Sequence, residues 1–183
     1  MPTFAEYAER PVAERVGRLR RTPAEISQAF AGGNAAALSR RPDARNWSPT
    51  EIVCHLRDVE ELFQTRFHVI LGGEAPTIFV FGAPADVLKD MGIGGAVSHP
   101  LDPDRWAEDR QYARSDPAEA LAAFGRRRGE VVTLLEGLAP DQWKRVGVHP
   151  ARGRLTLGHW VASLAAHDDN HLDQLRRAVD GRA

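Results

Sequence analysis

Apolar residues recur at three- and four-residue spacing in four stretches of the chain, and this period predicts four amphipathic helices. The first stretch runs from Val12 to Phe30 and ends before Gly32-Gly33. It contains Thr22-Pro23-Ala24-Glu25, which has the composition of a helix start, so we expect one bent helical arm.

The other three helices are predicted from the signals at their ends. Ser48-Pro49-Thr50-Glu51 is a capping box with proline at the first helical position, and the stripe that follows runs to Gly72-Gly73. The third helix begins at Asp116-Pro117-Ala118-Glu119 and ends before Gly137, and the fourth runs from about Thr156 to Val179. These helices predict an all-α four-helix bundle, with residues 1–183 forming a single domain.

A connection of about forty residues, from Gly72 to Ser115, separates the second and third helices, and such a length is uncommon unless the segment is functional or crosses the bundle. A long crossover would let the second and third helices run parallel to each other. Strands are expected to be a minor presence, because only Thr77 to Phe81 has a strand-like composition.

Composition and charge narrow the class of protein. The 24 basic and 25 acidic residues leave a formal net charge of −1, so no global field attracts a polyanion and we expect no nucleic-acid partner. No apolar run approaches the roughly 18 residues of a membrane-spanning helix, so no membrane partner is expected. The first residues lack the features of a secretory signal and Cys54 is the only cysteine, which together favour the cytoplasm.

Three histidines lie on the predicted inward stripes of two helices. His167 and His171 are four residues apart between Leu164 and Leu175, a spacing that lets two imidazoles bind one metal ion. His55 lies roughly 9 Å from the start of the second helix and His171 roughly 12 Å from the end of the fourth, so antiparallel packing would bring them level. From the residues alone, hydrogen-bonded core histidines remain the alternative to a metal site.

A site of three neutral imidazoles favours zinc, nickel, cobalt or ferrous iron and leaves a coordination position open for water or substrate. Asp58, one turn after His55, is a candidate to orient that imidazole by accepting its other N–H. Arg128 interrupts the apolar stripe of the third helix and needs Glu61, Asp58 or an anionic substrate as its partner. Asp58 and Arg128 are the candidate catalytic residues.

Other polar residues near these positions have simpler interpretations. Asp168 follows His167 and is expected to be a supporting or solvated carboxylate rather than a general base. Cys54 points about 100° away from His55 around the helix and is expected to be a small core residue. His149 is a candidate for the rim of a pocket.

Several motifs resemble those of the DinB/YfiT-like metalloenzyme family. They are Trp47-Ser48-Pro49-Thr50-Glu51-Ile52-Val53-Cys54-His55, Thr156-Leu157-Gly158-His159-Trp160 and His167-Asp168-Asp169-Asn170-His171. The resemblance extends over nearly the whole chain and includes Arg66 and Arg128. It implies a four-helix bundle with a long crossover, often a homodimer, that holds a divalent metal through His55, His167 and His171.

The resemblance also implies a class of activity. Members of the family include S-transferases that use the low-molecular-weight thiols bacillithiol or mycothiol, and others are assigned only a hydrolase activity. We therefore expect a zinc, nickel or iron site that activates such a thiol, or water, against a small electrophilic substrate. The alternative is a dimeric metal-binding stress or scaffold protein without turnover. The segment from Val80 to Leu101 looks longer than the family pattern and is expected to shape the pocket.

Overall fold

The four predicted helices are all present in the computed structural model, which describes residues 1–78, 102–149 and 152–183. The α-helices are α1 (Phe4–Glu9), α2 (Val12–Phe30), α3 (Ala35–Leu38), α4 (Pro49–Gly72), α5 (Pro103–Asp109), α6 (Pro117–Glu136) and α7 (Leu157–Val179). Short 3₁₀ turns cover Tyr112–Arg114 and Gln142–Lys144. The long helices α2, α4, α6 and α7 are the predicted bundle.

The predicted capping residues fix where these helices begin. The Ser48 hydroxyl accepts from the Glu51 N–H at 3.2 Å, and the Glu51 carboxylate accepts from the Ser48 N–H at 2.9 Å. Asp116 and Thr156 likewise cap α6 and α7. Because each cap satisfies a backbone N–H that would otherwise lack a partner, it stabilises its helix start by about 1 kcal/mol.

The first arm is one helix that continues through Pro23. Proline has no N–H, so the carbonyl of Leu19 lacks its usual intrahelical donor. Arg128 of α6 replaces that donor, with its Nη1 2.9 Å from the Leu19 oxygen. The proline therefore leaves an acceptor on α2 for a side chain of a neighbouring helix.

Contacts between the long helices give their directions. Arg18 pairs with Asp169 and Glu25 with Arg176, so α2 and α7 run parallel. In contrast, α4 is antiparallel to α7, because His55 near its start lies beside His171, whereas Arg66 near its end lies over the ring of Trp160.

The second and third long helices run parallel, as the crossover predicts. Near their starts, Cys54 and Phe124 belong to one apolar cluster, and near their ends Phe67 and Leu135 belong to another. Within the connection between these helices, the structure describes α5 and the turn at Tyr112–Arg114.

The bundle core consists of two apolar clusters separated by polar side chains. One cluster contains Leu19, Val59, Val131 and Leu164, and the other contains Ile26, Ile52, Phe124 and Leu172. On α2, α6 and α7 the polar residues fall between a member of one cluster and a member of the other. On α4, His55 and Glu60 flank Leu56 and Val59, where the two clusters meet along the helix. We call these residues the polar layer, comprising Thr22, His55, Glu60, Arg128, His167, Asp168 and His171.

The chain forms a two-stranded hairpin after α6, and the sequence analysis did not predict this hairpin. Strands β1 (Val146–His149) and β2 (Gly153–Thr156) pair antiparallel, and Thr77 forms a bridge to Val148. Gly147 permits this close packing, because a Cβ there would lie 2.7 Å from Ile78 and 2.9 Å from Ile70. Of the strand-like stretch from Thr77 to Phe81, Thr77 forms this isolated bridge, and residues 79–81 lie outside the described ranges.

Within the described ranges, none of the helices has the length and apolar content needed to cross a lipid bilayer.

Candidate metal centre

The three predicted histidines come together between α4 and α7. Nitrogen atoms of His55, His167 and His171 all lie within 4.8 Å of one another. The Nε2 atoms of His55 and His167 are 3.2 Å apart. Two imidazole nitrogens each about 2.0–2.1 Å from a tetrahedral zinc would be separated by about 3.3 Å, so this spacing suits two ligands of one ion.

Burial keeps these imidazoles neutral. It lowers the pKa of His55 to about 3 and lowers the pKa values of His167 and His171 as well, and the neighbouring histidines add to the effect at His55 and His167. A neutral imidazole is the form that donates a lone pair to a metal. The protein therefore presents three imidazoles without a competing proton at neutral pH.

Gln174, which sequence reasoning missed, sets the orientation of one of these rings. Its Oε1 lies 2.7 Å from Nδ1 of His171. Because a carbonyl oxygen only accepts, this contact places the imidazole hydrogen on Nδ1 and leaves the Nε2 lone pair toward the other histidines. The available signal was an amide three residues after a candidate ligand, on the same helix face.

Asp58 has partners other than the predicted one. Its carboxylate accepts from Arg57 at 2.7 Å, Tyr112 at 2.7 Å and Arg127 at 3.0 Å, and none of its hydrogen bonds within the described ranges reaches His55. These cationic and phenolic donors hold the pKa of Asp58 below its usual value despite its burial. Asp58 therefore joins α6 and the Tyr112 turn to α4.

Arg128 is buried, as predicted, but the predicted pairing with Glu61 or Asp58 is wrong. Its guanidinium pairs with Glu60, through contacts of 2.7 and 2.6 Å, and with Asp168, through contacts of 2.5 and 2.9 Å. One residue further along α4 the side chain points about 100° away, and Glu61 is accordingly half exposed whereas Glu60 is 1% exposed. Asp168, which also accepts from Thr22, is a buried ion-pair residue rather than a solvated one.

Two simpler predictions agree with the structure. Cys54 is fully buried in an apolar cluster, where burial raises the pKa of its thiol. His149 lines a pocket that His167 also lines.

The pocket has a volume of about 240 Å³, and His167 forms one of its walls. Its other described lining residues come from α4, the hairpin and α7. They are Val59, Phe63, Arg66, His149, Arg152, Leu155, Trp160 and Ser163. Since His167 lines the pocket and is only partly buried, a molecule in this pocket can approach that histidine.

Together, the fold and the donor set define a class of protein: a four-helix bundle with a crossover and a three-histidine cluster suited to a divalent metal. Comparisons with known proteins are consistent with that class. A sequence model of the DinB superfamily matches residues 18–175, and the chain belongs to this superfamily. The resemblance identified from the motifs is therefore confirmed.

Two relatives from Bacillus subtilis are similar to this chain. The uncharacterized protein YuaE of strain 168 is 24% identical over 139 residues, which cover 76% of this chain and 81% of YuaE. The solved structure of YfiT superposes with a TM-score of 0.73 at 22% identity, covering 94% of this chain and 89% of YfiT. YfiT is described as a probable metal-dependent hydrolase with an unusual four-helix bundle topology. At this identity the likeness establishes the shared fold.

Proposed function

We propose that this chain is a metal-dependent enzyme in which His55, His167 and His171 hold one divalent transition metal. The convergence of three neutral imidazoles beside a pocket carries the proposal. The description of YfiT as a probable metal-dependent hydrolase supports it. Zinc, nickel and ferrous iron all suit this donor set, whereas magnesium and calcium prefer oxygen ligands.

The reaction we propose is attack by water or by a low-molecular-weight thiol on a small electrophilic substrate. When bound, the metal supplies a Lewis acid that lowers the pKa of a coordinated water or thiol. The protein contributes neutral ligands, a histidine oriented by Gln174, and a pocket that places the substrate beside His167. Three protein ligands leave a further coordination position for a reactant.

Asp58 and Arg128 support this site through other residues. Asp58 lies on α4, the helix that carries His55, and accepts a hydrogen bond from the Tyr112 hydroxyl. Arg128 pairs with Asp168, the neighbour of His167. Their predicted catalytic roles stay predictions, and we propose that both residues are positioning residues. The homodimer expected from the resemblance also stays a prediction.

The alternative function, a metal-binding scaffold without turnover, is associated with a filled bundle core or a fourth protein ligand. The pocket beside His167 favours the enzyme instead. Within the enzyme class, consumption of an electrophile only in the presence of an added thiol would select transfer over hydrolysis.

Metal content tests the proposal directly. We expect inductively coupled plasma mass spectrometry to find about one divalent metal per chain in tag-free protein. The His171→Ala variant should lose it, whereas His68→Ala, which changes an exposed histidine of α4, should retain it. Absence of stoichiometric metal from the parent protein, even after reconstitution with zinc, nickel and ferrous iron, would overturn the proposal.

A further inference from the structure

The pocket beside His167 is lined by positively charged groups. Arg66 of α4 and Arg152 before β2 contribute to its wall, and no carboxylate is among its described lining residues. Burial lowers the pKa of His149, and the charges of Arg152 and Arg66 lower it further, so both charges act within the same space. A bound divalent metal would add further positive charge next to His167. Such a site attracts anions by its field as well as by direct hydrogen bonds.

Arg66 lies deep in this pocket. Its side chain is 5% exposed, and its guanidinium carbon is 4.7 Å from the ring centre of Phe63 and 5.6 Å from that of Trp160. Aromatic walls stabilise a cation and fix its position while excluding water. Burial nevertheless lowers the pKa of Arg66 to about 9, which shows that its charged form loses hydration there. A negatively charged ligand group would favour the charged form.

Positions along α7 give the distance between Arg66, which lies over the ring of Trp160, and the proposed metal centre. Trp160 and His167 are seven residues apart, which is about 10 Å along the helix axis. That span is about the length of three extended residues. Ser163 lines the pocket between them and offers a hydroxyl at mid-length. One small elongated molecule can therefore contact both ends.

We propose that the pocket binds an anionic group of the substrate, a carboxylate or a phosphate, at Arg66 and Arg152 while the reacting atom of the same molecule lies at the three-histidine site. This inference rests on the proposed function and adds a substrate class to it. The anion fixes the orientation of the substrate, and the length of the pocket selects the distance between the anion and the reacting atom. Neutral analogues lose the charge-assisted contact.

Thiol probes test both ends of the pocket at once. Cobalt(II)-loaded protein would be titrated with mercapto-octanoate and with the neutral mercapto-octanol, and thiolate binding would be read from the sulfur-to-cobalt charge-transfer band. We expect the carboxylate to bind about tenfold tighter or more, as for a charge-assisted hydrogen bond. The shorter mercaptopropionate should show a smaller advantage over mercaptoethanol, because it does not span the pocket.

Arginine variants assign the effect to the pocket. Arg66→Gln should abolish the preference for the carboxylate, and Arg66→Lys should retain part of it and guard against a folding defect. Arg154→Gln removes the same charge from an exposed position on β2 outside the pocket and should leave the preference unchanged. Equal affinities for acid and alcohol in the cobalt-loaded parent protein would overturn the inference while leaving the metal site intact.

A second measurement separates this inference from the proposed function. Metal-free protein would be titrated with inorganic phosphate and observed through the indole N–H resonance of Trp160, assigned with Trp160→Phe. We expect a saturable shift that Arg66→Gln abolishes. If this shift is seen in a protein that takes up no cobalt, the anion site is supported and the metal-dependent function is rejected. If neither phosphate nor acetate gives a saturable shift, the anion site is rejected.

Discussion

Replacing Arg128 by methionine would remove the only positive charge from a buried group of three. Its guanidinium forms five hydrogen bonds, four to Glu60 and Asp168 and one to the Leu19 carbonyl. All five N–H groups of the guanidinium are therefore used. Arg128, Glu60 and Asp168 are each at most 1% exposed, so solvent cannot compensate for the loss.

The expected cost follows from these contacts. Removing one member of a buried ion pair costs about 3–5 kcal/mol, because an uncompensated charge remains. Loss of the donor to the Leu19 carbonyl adds about 1 kcal/mol, since Pro23 cannot replace it. We expect Arg128→Met to lower the free energy of unfolding by about 4–6 kcal/mol, which is a large part of the 5–15 kcal/mol typical of a domain.

The sign of the pH dependence distinguishes this mechanism from simple loss of packing. Burial raises the pKa of Glu60 even beside Arg128, and without the arginine this carboxylate should bind a proton still more readily in the folded state than in the unfolded state. A carboxylate whose pKa is raised on folding contributes stability as pH falls. The destabilisation by Arg128→Met should therefore be smaller at about pH 5.5 than at about pH 8.

Urea denaturation of metal-free protein, followed by circular dichroism, measures these changes against the parent protein at each pH. The triple variant Glu60→Gln, Arg128→Met, Asp168→Asn removes all three charges and should recover part of the lost stability. Arg126→Met, at an exposed position of α6, should stay within about 0.5 kcal/mol of the parent protein. A cost for Arg128→Met as small as this control, or one independent of pH, would refute the reasoning.

Two further predictions concern the histidines. Burial lowers the pKa of His55 to about 3 and also lowers those of His167 and His171, so the unfolded state binds more protons below about pH 6.5. The metal-free protein should then lose up to about 1.4 kcal/mol per histidine for each pH unit below that value, and a flat urea-denaturation profile between about pH 7 and pH 5.5 would contradict this. Gln174→Ala should weaken metal binding about 10–100-fold by chelator competition, because His171 loses its acceptor. The exposed-site control Gln28→Ala should match the parent protein, and equal affinity in Gln174→Ala would show that Gln174 does not orient the ligand.

The helices were predictable because their signals are local. A capping box at Ser48 and an apolar period of three to four residues act within one segment, and the structure follows both. The hairpin was not predictable in the same way. Each strand has only four residues, and their fit depends on Gly147 packing closely against Ile70 and Ile78, which are distant in sequence.

The candidate site shows the same division between local and tertiary information. Helical periodicity placed His55, His167 and His171 on inward faces, and the structure brings them together. The partner of Arg128 depended on the rotation of α4 against α6, which no single segment encodes. A difference of one residue, Glu60 instead of Glu61, changes the direction of the carboxylate by about 100°.

The polar layer connects the stability of the bundle to the geometry of the proposed metal centre. His167 and Asp168 are adjacent on α7, so their side chains point about 100° apart, one toward His55 and the other toward Arg128. The ion pair on one side of α7 therefore restrains the rotation that positions the imidazole on the other. Glu60 restrains α4 in the same manner, five residues after His55. Because both helices that carry these histidines are held by one guanidinium, the spacing of the histidines depends on a residue that does not contact them.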